Sequence, residues 1–484
     1  MWRKLNRTFA IMAVLSMLLV LLAACGGTTA TPVPATNTVP AGGTEPTAMT
    51  EEPTAMTEEP TAMTEKPTAM TGGEATAMPG DAMGMPEGCS AVELTYWTPF
   101  TGPDGPFMQT IVNNFNTANP TIKVTMNTVP GGEYSTQLGT AAASDTLPDV
   151  AIINEDQVAT QAFRGVLRPL GDAANQIGYS ASDFPKVAWD AGTVAGKQYA
   201  LPLSFVAMTQ YYNQDMLTAA GIDKAPTTKA EFEAAAAAMT KDGKFGFLLT
   251  NGFPVQQIFQ QLLHQYGGTE FSADGTTATW NSEAGVKALT WMKEAQTKYG
   301  QPNLEVDAEL NAFKSGTVGM VWNGIWQIPN VTGEAVEFKG MAGPVPQIGD
   351  KPAVWAGGPL LALPAKKNPD KCKDAAAGMF IKYVLDNSLE WAKAGSIPAA
   401  NKVRESAEFK ALPHSSIGPS VANPVFPPSV PGIGDAFLPL GEAVGSIMSG
   451  TETDIKKALD SSAERANTIL KENKTTYGDA PKTP

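Results

Sequence analysis

The chain has 484 residues, 43% hydrophobic and 17% charged, with a net charge of −14, enough for two or three domains of ordinary size. Nucleic acid would ask for a basic face, so this balance argues against it as a partner. Two histidines, His264 and His414, and three cysteines offer neither zinc-type ligand spacing nor a Cys-x-x-Cys pair, and neither metal nor cofactor is expected.

Residues 1–24 read as a secretion signal: Arg3, Lys4 and Arg7 precede an apolar run from Phe9 to Leu22. That run is short for the ~20 residues that span a bilayer. Leu22-Ala23-Ala24-Cys25 resembles a bacterial lipobox, which implies that Cys25 is the lipidated first residue of the mature chain. From Gly26 to Gly88 the composition is Thr, Pro, Ala, Met, Glu and Gly, with TEEPTAM repeats between Thr44 and Thr71. A proline in every copy excludes a coiled coil despite the period of seven. This stretch reads as an acidic tether with polyproline-II character, and nine acids against one lysine between Cys25 and Ser90 put much of the net charge there.

Folded sequence is predicted from Cys89. Val92 to Thr98 reads as a strand, a helix follows with Phe107, Ile111, Val112 and Phe115 on one face, and Thr121–Met126 returns as a second strand. Leu147 to Asn154 is a third, apolar throughout its middle as a strand covered on both faces should be. Alternating strands and helices imply a doubly wound α/β layer, in which ligands collect beyond the carboxyl ends of strands. Those ends carry Trp97 on the first strand and Asn154, Glu155 and Asp156 on the third. Asp149, after a proline at a strand start, reads as structural, and Arg164 and Arg168 as solvated surface.

Farther on, Thr227–Glu231 is a capping box ahead of a poly-alanine helix. Phe245–Thr250 is a strand ending at Asn251-Gly252-Phe253-Pro254, and Phe271 to Trp280 a small hairpin. The stretch Phe313–Ile328, FKSGTVGMVWNGIWQI, runs a strand into an Asn-Gly turn. Trp322 and Trp326 astride that turn, with Asn323 between them, suit a sugar, whose C–H face stacks on an aromatic plane while amides meet its hydroxyls. The alternative is that the tryptophans fill a core. Asn368–Ala394 reads as a long amphipathic helix, another starts near Gly434, and the last has an inner stripe of Ile455, Leu459, Ala466 and Leu470.

Phe-Lys-x-Gly-x-x-Gly-Met followed by Asn-Gly-x-Trp is similar to the hallmark of family 1 extracellular solute-binding proteins of ABC importers, the maltose-binding-protein type. The resemblance covers nearly all of Cys89 to Asn473. It implies a type II periplasmic-binding-protein-like α/β fold, two doubly wound lobes with a hinge and an interlobe ligand cleft. The implied domains are the signal at 1–24, the tether at 25–88, an N-terminal lobe at 89–207 and 343–357, a C-terminal lobe at 208–342 and 358–475, and a tail at 476–484. Crossings are implied at Tyr199–Asn213, between Phe338 and Pro344, and from Trp355 to Pro364.

By position, Trp326, Phe253 and Phe437 match the family's aromatics and Asp156 a carboxylate that reads sugar hydroxyls. Gln157 and Ile153 stand where maltose-binding protein has an arginine and a tryptophan, so the ligand need not be maltose. Trp97, Asn154, Glu155, Asn251, Trp322, Asn323, Trp355 and Gly357 complete the expected ligand-binding set. The implied partners are a carbohydrate, the transmembrane subunits of an ABC permease, and the membrane through the lipid at Cys25, with a monomer at its outer face. A polyamine, which would use Glu155 with Asp156, stays open, as do a glycosidase and a sensory or adhesive lipoprotein. Cys89 and Cys372 are the remaining thiols, in a compartment where disulfides form; geometry decides whether they pair.

Overall fold

The computed structural model describes residues 85–171, 177–301, 303–412, 414, 415, 417, 424, 425, 429–478 and 481. Cys25, the signal and nearly all of the tether lie outside the described residues.

Strand β1 (Val92–Thr98) buries Val92, Leu94, Tyr96 and Thr98 in alternation, the period of a strand with one face packed. Helix α1 (Gly105–Ala118) buries Met108, Ile111, Val112 and Phe115 and returns the chain to β2 (Ile122–Thr128), parallel to β1 with Ile122 opposite Val92. Helix α2 (Gly131–Ser144) leads to β3 (Val150–Asn154), and α3 (Glu155–Arg164) begins at the residue after β3 ends. Asp149, just before β3, is buried and accepts from Thr95 N (2.8 Å) and Oγ1 (3.2 Å). It pairs with Lys366 and Lys373, a structural staple. Strand β4 (Ala200–Pro202) completes this first run.

The ten-residue strand β5 (Ser204–Asn213) then carries the chain out of the first lobe. Helix α4 (Lys229–Met239) starts at a capping box between Thr228 and Glu231. Strand β6 (Phe245–Leu248), α5 (Val255–Gln265), α6 (Glu283–Tyr299), α7 (Ala308–Lys314), β7 (Val318–Gly324), β8 (Gly340–Pro344) and β9 (Val354–Gly357) follow. Next come β10 (Pro359–Ala362), α8 (Lys371–Asp386) and β11 (Ile397–Pro398), then α9 (Ile433–Ser449) and α10 (Ile455–Tyr477).

Two sheets result. The first has the order β2-β1-β3-β10-β4; the second runs from residues 424–425 through β9, β5 and β7 to β6, with β8 and β11 also on β5. Core residues around Tyr96, Phe115 and Phe380 hold the first lobe, with Phe380 edge-on to both of the others at 5.1 Å. The second lobe is built around Phe232, Phe247, Trp291 and Trp322.

The lobe boundaries differ from those expected. Gly340–Pro344 does not recross: it stays on β5, Met341 opposite Tyr212. Val354–Gly357, expected in the first lobe, lies in the second sheet, pairing with Val206 and Ala207 of β5. Pro359–Ala362, expected in the second lobe, is wholly buried in the first sheet between β3 and β4, and α8 packs onto Tyr96 and Phe115. The physical reason is that an all-apolar strand must be covered on both faces and bonded on both edges, and only the gap between β3 and β4 offers this. The chain therefore crosses at β5, again at Gly357–Pro359, and a third time before α9. Cys372, in the first turn of α8, is joined to Cys89 by a disulfide with Cα atoms 5.6 Å apart, closing the first lobe's earliest residues onto α8.

Candidate functional site

Strand β7 lies between β5 and β6 and all seven of its residues are buried. Trp322 is 1% exposed. It stacks on Trp291 at 5.5 Å and lies 5.1 Å from Phe232 and 5.0 Å from Phe247, while its Nε1 donates to Gln210 Oε1 at 3.4 Å. Trp322 is thus a core residue, not a cleft residue as expected. Asn323, also 1% exposed, is likewise withdrawn from any ligand: its Nδ2 donates to Glu309 Oε1 (3.0 Å) and its Oδ1 accepts from Gly324 N (2.8 Å). A strand covered on both faces has no cleft-facing side.

Beyond Gly324 the chain turns, and there an aromatic surface opens. Trp326 is half-buried and stacks on Phe253, centroids 5.7 Å apart and planes at 26°; Phe253 is 56% exposed. Gly324 lies directly under the indole, where any Cβ would overlap the ring, and its carbonyl accepts from Tyr211 Oη at 2.7 Å. Beside Phe253, Asn251 is anchored by its N–H to Leu304 O (2.7 Å) and by its Nδ2 to Asn303 Oδ1 (2.9 Å). The stacked pair is a ledge of apolar surface with an amide at its edge.

A second corner forms where β3 becomes α3. Asn154 is exposed and its side chain does not cap the helix. Glu155 Oε2 accepts from Gly358 N at 2.8 Å, and a Cβ on Gly357 would overlap its carboxyl, so Gly357 makes room for Glu155. Burial, and then the neighbouring Asp156, raise the Glu155 pKa; burial also raises that of Asp156, against hydrogen bonding from its own backbone, with Asp435 adding to the rise. Arg164 does not serve these carboxylates as a free cation. It is half-buried and paired with Asp435 and Asn473, which corrects its expected place on the solvated surface; Arg168 pairs with Asp374 at 2.7 Å.

Helix α9 links the two corners. Gly434 lies against Gln157 and the Asp156 carbonyl, Gly441 against Gln256 Oε1, and Gly445 against the Asn251 carbonyl. These glycines share one face, at spacings of seven and four residues, and the seven residues from Gly434 to Gly441 rise about 10 Å. The carboxylate corner and the Asn251 end of the aromatic ledge therefore lie along one face of α9. Leu438, on the same face, is 66% exposed. Phe437, expected there, is buried against Phe271 (5.2 Å) and Trp280 (6.4 Å); one residue along a helix turns the side chain by about 100°. Trp97 packs half-buried under Tyr134, whose Oη donates to the Trp97 carbonyl at 2.8 Å. Trp355 packs on the second-lobe core and its N–H donates to Gln261 Oε1 at 3.2 Å.

Of the expected set, Asn154, Glu155, Asp156 and Gly357 gather at the carboxylate corner and Asn251, Phe253 and Trp326 at the ledge. Gln256, Leu438 and Glu309 went unread in the sequence; an exposed leucine between glycines at helical spacing was the signal for Leu438. Two surface depressions of about 330 and 570 Å³ lie along α10, away from both corners. Among the described residues, no three His, Cys, Asp or Glu side chains form a metal site.

A family model described as bacterial extracellular solute-binding protein matches residues 110–416. The maltodextrin-binding protein MdxE of Bacillus subtilis is 24% identical over 349 residues, covering 67% of this chain and 77% of that protein. The sn-glycerol-3-phosphate-binding periplasmic protein UgpB of Escherichia coli is 23% identical over 414 residues, 78% of this chain and 92% of that one. Putative binding proteins of Brucella are 25% identical over 228 residues, and the chain spans about half their length, 55%. Among solved structures, the GacH receptor of Streptomyces glaucescens, determined unliganded and with acarbose, is 26% identical, with TM-score 0.71 over 79% of this chain and 99% of that one. The chain belongs to the family of bacterial extracellular solute-binding proteins.

Proposed function

We propose that this chain is the extracytoplasmic substrate-binding protein of an ABC importer, anchored through lipidated Cys25, that closes its lobes over a neutral sugar or oligosaccharide and delivers it to a permease. The observation that carries the reading is the Phe253–Trp326 stack, its Phe253 ring exposed and Asn251 beside it, because a sugar needs an apolar plane and amides at its rim. The likeness to a maltodextrin-binding protein and to a receptor solved with acarbose supports it. A phosphate ester, which the likeness to UgpB raises, would want an arginine fork. The four described arginines are engaged elsewhere: Arg164 with Asp435, Arg168 with Asp374, Arg404 with Asn401 and the Ala399 carbonyl, Arg465 with Glu442. Binding rather than hydrolysis fits two carboxylates side by side in one helical turn, since glycoside hydrolysis sets its pair on opposite sides of the bond.

A cationic solute is the second reading, favoured by the partly buried Glu155–Asp156 pair. Tryptophan fluorescence titrations with maltotriose, spermidine and glycerol 3-phosphate decide between them. Saturation by maltotriose alone is expected; saturation by spermidine without response to any sugar overturns the carbohydrate assignment. Cys25→Ala tests the anchor, and a variant still membrane-bound after signal removal would refute it.

A further inference from the structure

Glu309 is a buried acid that ligand contact does not employ. It sits in the first turn of α7, is 1% exposed, and lies behind the turn that carries the aromatic ledge. Its Oε1 accepts from Asn323 Nδ2 at 3.0 Å, Asn323 Oδ1 accepts from Gly324 N at 2.8 Å, and Gly324 lies under the Trp326 indole, which stacks on Phe253. The segment just before α7 holds the other end of the ledge: Leu304 O accepts from Asn251 N at 2.7 Å and from Thr250 Oγ1 at 3.2 Å. Residues 304–309 thus stand behind both sides of the ledge, Leu304 through its carbonyl and Glu309 through its carboxyl.

The carboxyl is poorly provided for as an anion. Glu309 Oε2 has no hydrogen-bond partner among the described residues. Of the elements packed on α7, β7 and residues 328–331 bear no charge, β5 brings the buried Tyr211, whose hydroxyl donates to the Gly324 carbonyl, the segment at Phe338 brings Glu337 and Lys339, and the preceding segment brings Glu305 and Asp307, both acidic; on α7 itself Lys314 is more than a turn away. Burial, with Asp307 adding to it, raises the Glu309 pKa to about 7 against hydrogen bonds from its own backbone, from Asn323 and from the Leu310 backbone.

We propose that Glu309 is a positioning residue whose protonation state sets the Asn323–Gly324 turn and hence the Trp326–Phe253 ledge, making ligand binding weaken with rising pH. As the neutral acid it leaves the turn as described. As the anion, with acidic neighbours and an Oε2 that has no partner among the described residues, it pulls harder on the Asn323 amide, whose Oδ1 holds the Gly324 N–H and so shapes the ledge. A ligand that needs the formed ledge favours the neutral state, and by linkage its binding raises the proton affinity of Glu309.

The consequence for affinity rests on the proposed binding role of the ledge; the response of Trp326 does not. Tryptophan fluorescence of the full-length chain in detergent, followed from pH 5.5 to 9, should show a one-proton step with its midpoint near 7. Glu309→Gln keeps the acceptor for Asn323 and should abolish the step, while Trp326→Phe should remove it by removing the reporter. No step in the wild type, a step surviving in a folded Glu309→Gln, or a step undiminished in Trp326→Phe overturns the proposal, and the first and last outcomes do not require that variant to fold. With maltotriose as probe, the wild-type Kd should be about threefold weaker at pH 8.5 than at pH 6, and that of Glu309→Gln unchanged. If maltotriose binds at neither pH the carbohydrate reading fails, and the spectroscopic step still decides the role of Glu309.

Discussion

Trp322 and Trp326 stand four residues apart and do different work, because one belongs to a strand closed on both faces and the other to the turn beyond it. Removing Trp322 empties the space among Phe232, Phe247 and Trp291. Trp322→Ala should cost about 3–5 kcal/mol of stability, the scale of a large cavity, measured by denaturant unfolding. Trp326→Ala should leave stability nearly intact and weaken ligand binding by about 2–4 kcal/mol, the scale of an anchor residue. Reversed outcomes would mean that the ledge is core. The sequence could name both tryptophans, since Asn-Gly marks the turn, but alternation tells which side chains share a face of a strand and not what covers that face. Asn323 was unreadable for the same reason: its partner Glu309 is brought there by the packing of α7.

Helix α9 shows what periodicity conveys at the scale of an element. Its apolar stripe was legible; its phase to within one residue was not, and that residue separates buried Phe437 from exposed Leu438. The glycines at 434, 441 and 445 let the helix back approach Gln157, Gln256 and the Asn251 carbonyl, and Leu438 is the one large side chain on that face. Leu438→Ala should therefore change stability by less than about 0.5 kcal/mol, as an exposed position does, yet reduce affinity measurably by isothermal titration calorimetry; unchanged affinity would remove Leu438 from the cleft. Helix α8 makes a different case. Its N-cap Asp370 accepts from the N–H groups of Cys372 and Lys373, and Cys372 ties the helix to Cys89 across 283 residues of chain. Cys372→Ser should destabilise by about 2–4 kcal/mol, through the freedom that the bridge denies the unfolded chain. Equal melting temperatures for the two proteins under oxidising conditions would refute this.

For the whole molecule, the α/β layers were legible because a repeated alternation of strand and helix closes as such layers, and the family resemblance implied two lobes, whereas the crossings were not legible, because hydrogen-bond partners far along the chain decide where Pro359–Ala362 and Gly340–Pro344 belong. The assembled interior has a titration consequence. Burial raises the pKa of Asp104 to about 6 and of Glu309 to about 7, and raises Glu155 and Asp156 as well. Each of these carboxyls holds its proton longer folded than unfolded, so unfolding releases protons between roughly pH 4 and 8, and stability falls as pH rises through that window. Exposed Glu231, Asp274 and Glu452 act oppositely. Hydrogen bonds from the Thr227 backbone, the Ser272 hydroxyl and the Asp454 backbone, respectively, lead in lowering each to about 2, so their contribution is present above the usual carboxylate range and lost only as pH falls toward 2. The two sets place the optimum on the acid side of neutrality, near pH 4–5. Calorimetric melting from pH 3 to 9 should give a transition temperature that declines from pH 5 to 8.5, with a shallower decline in Glu309→Gln. A transition temperature that climbs over that interval would show that these carboxyls ionise freely in the folded protein.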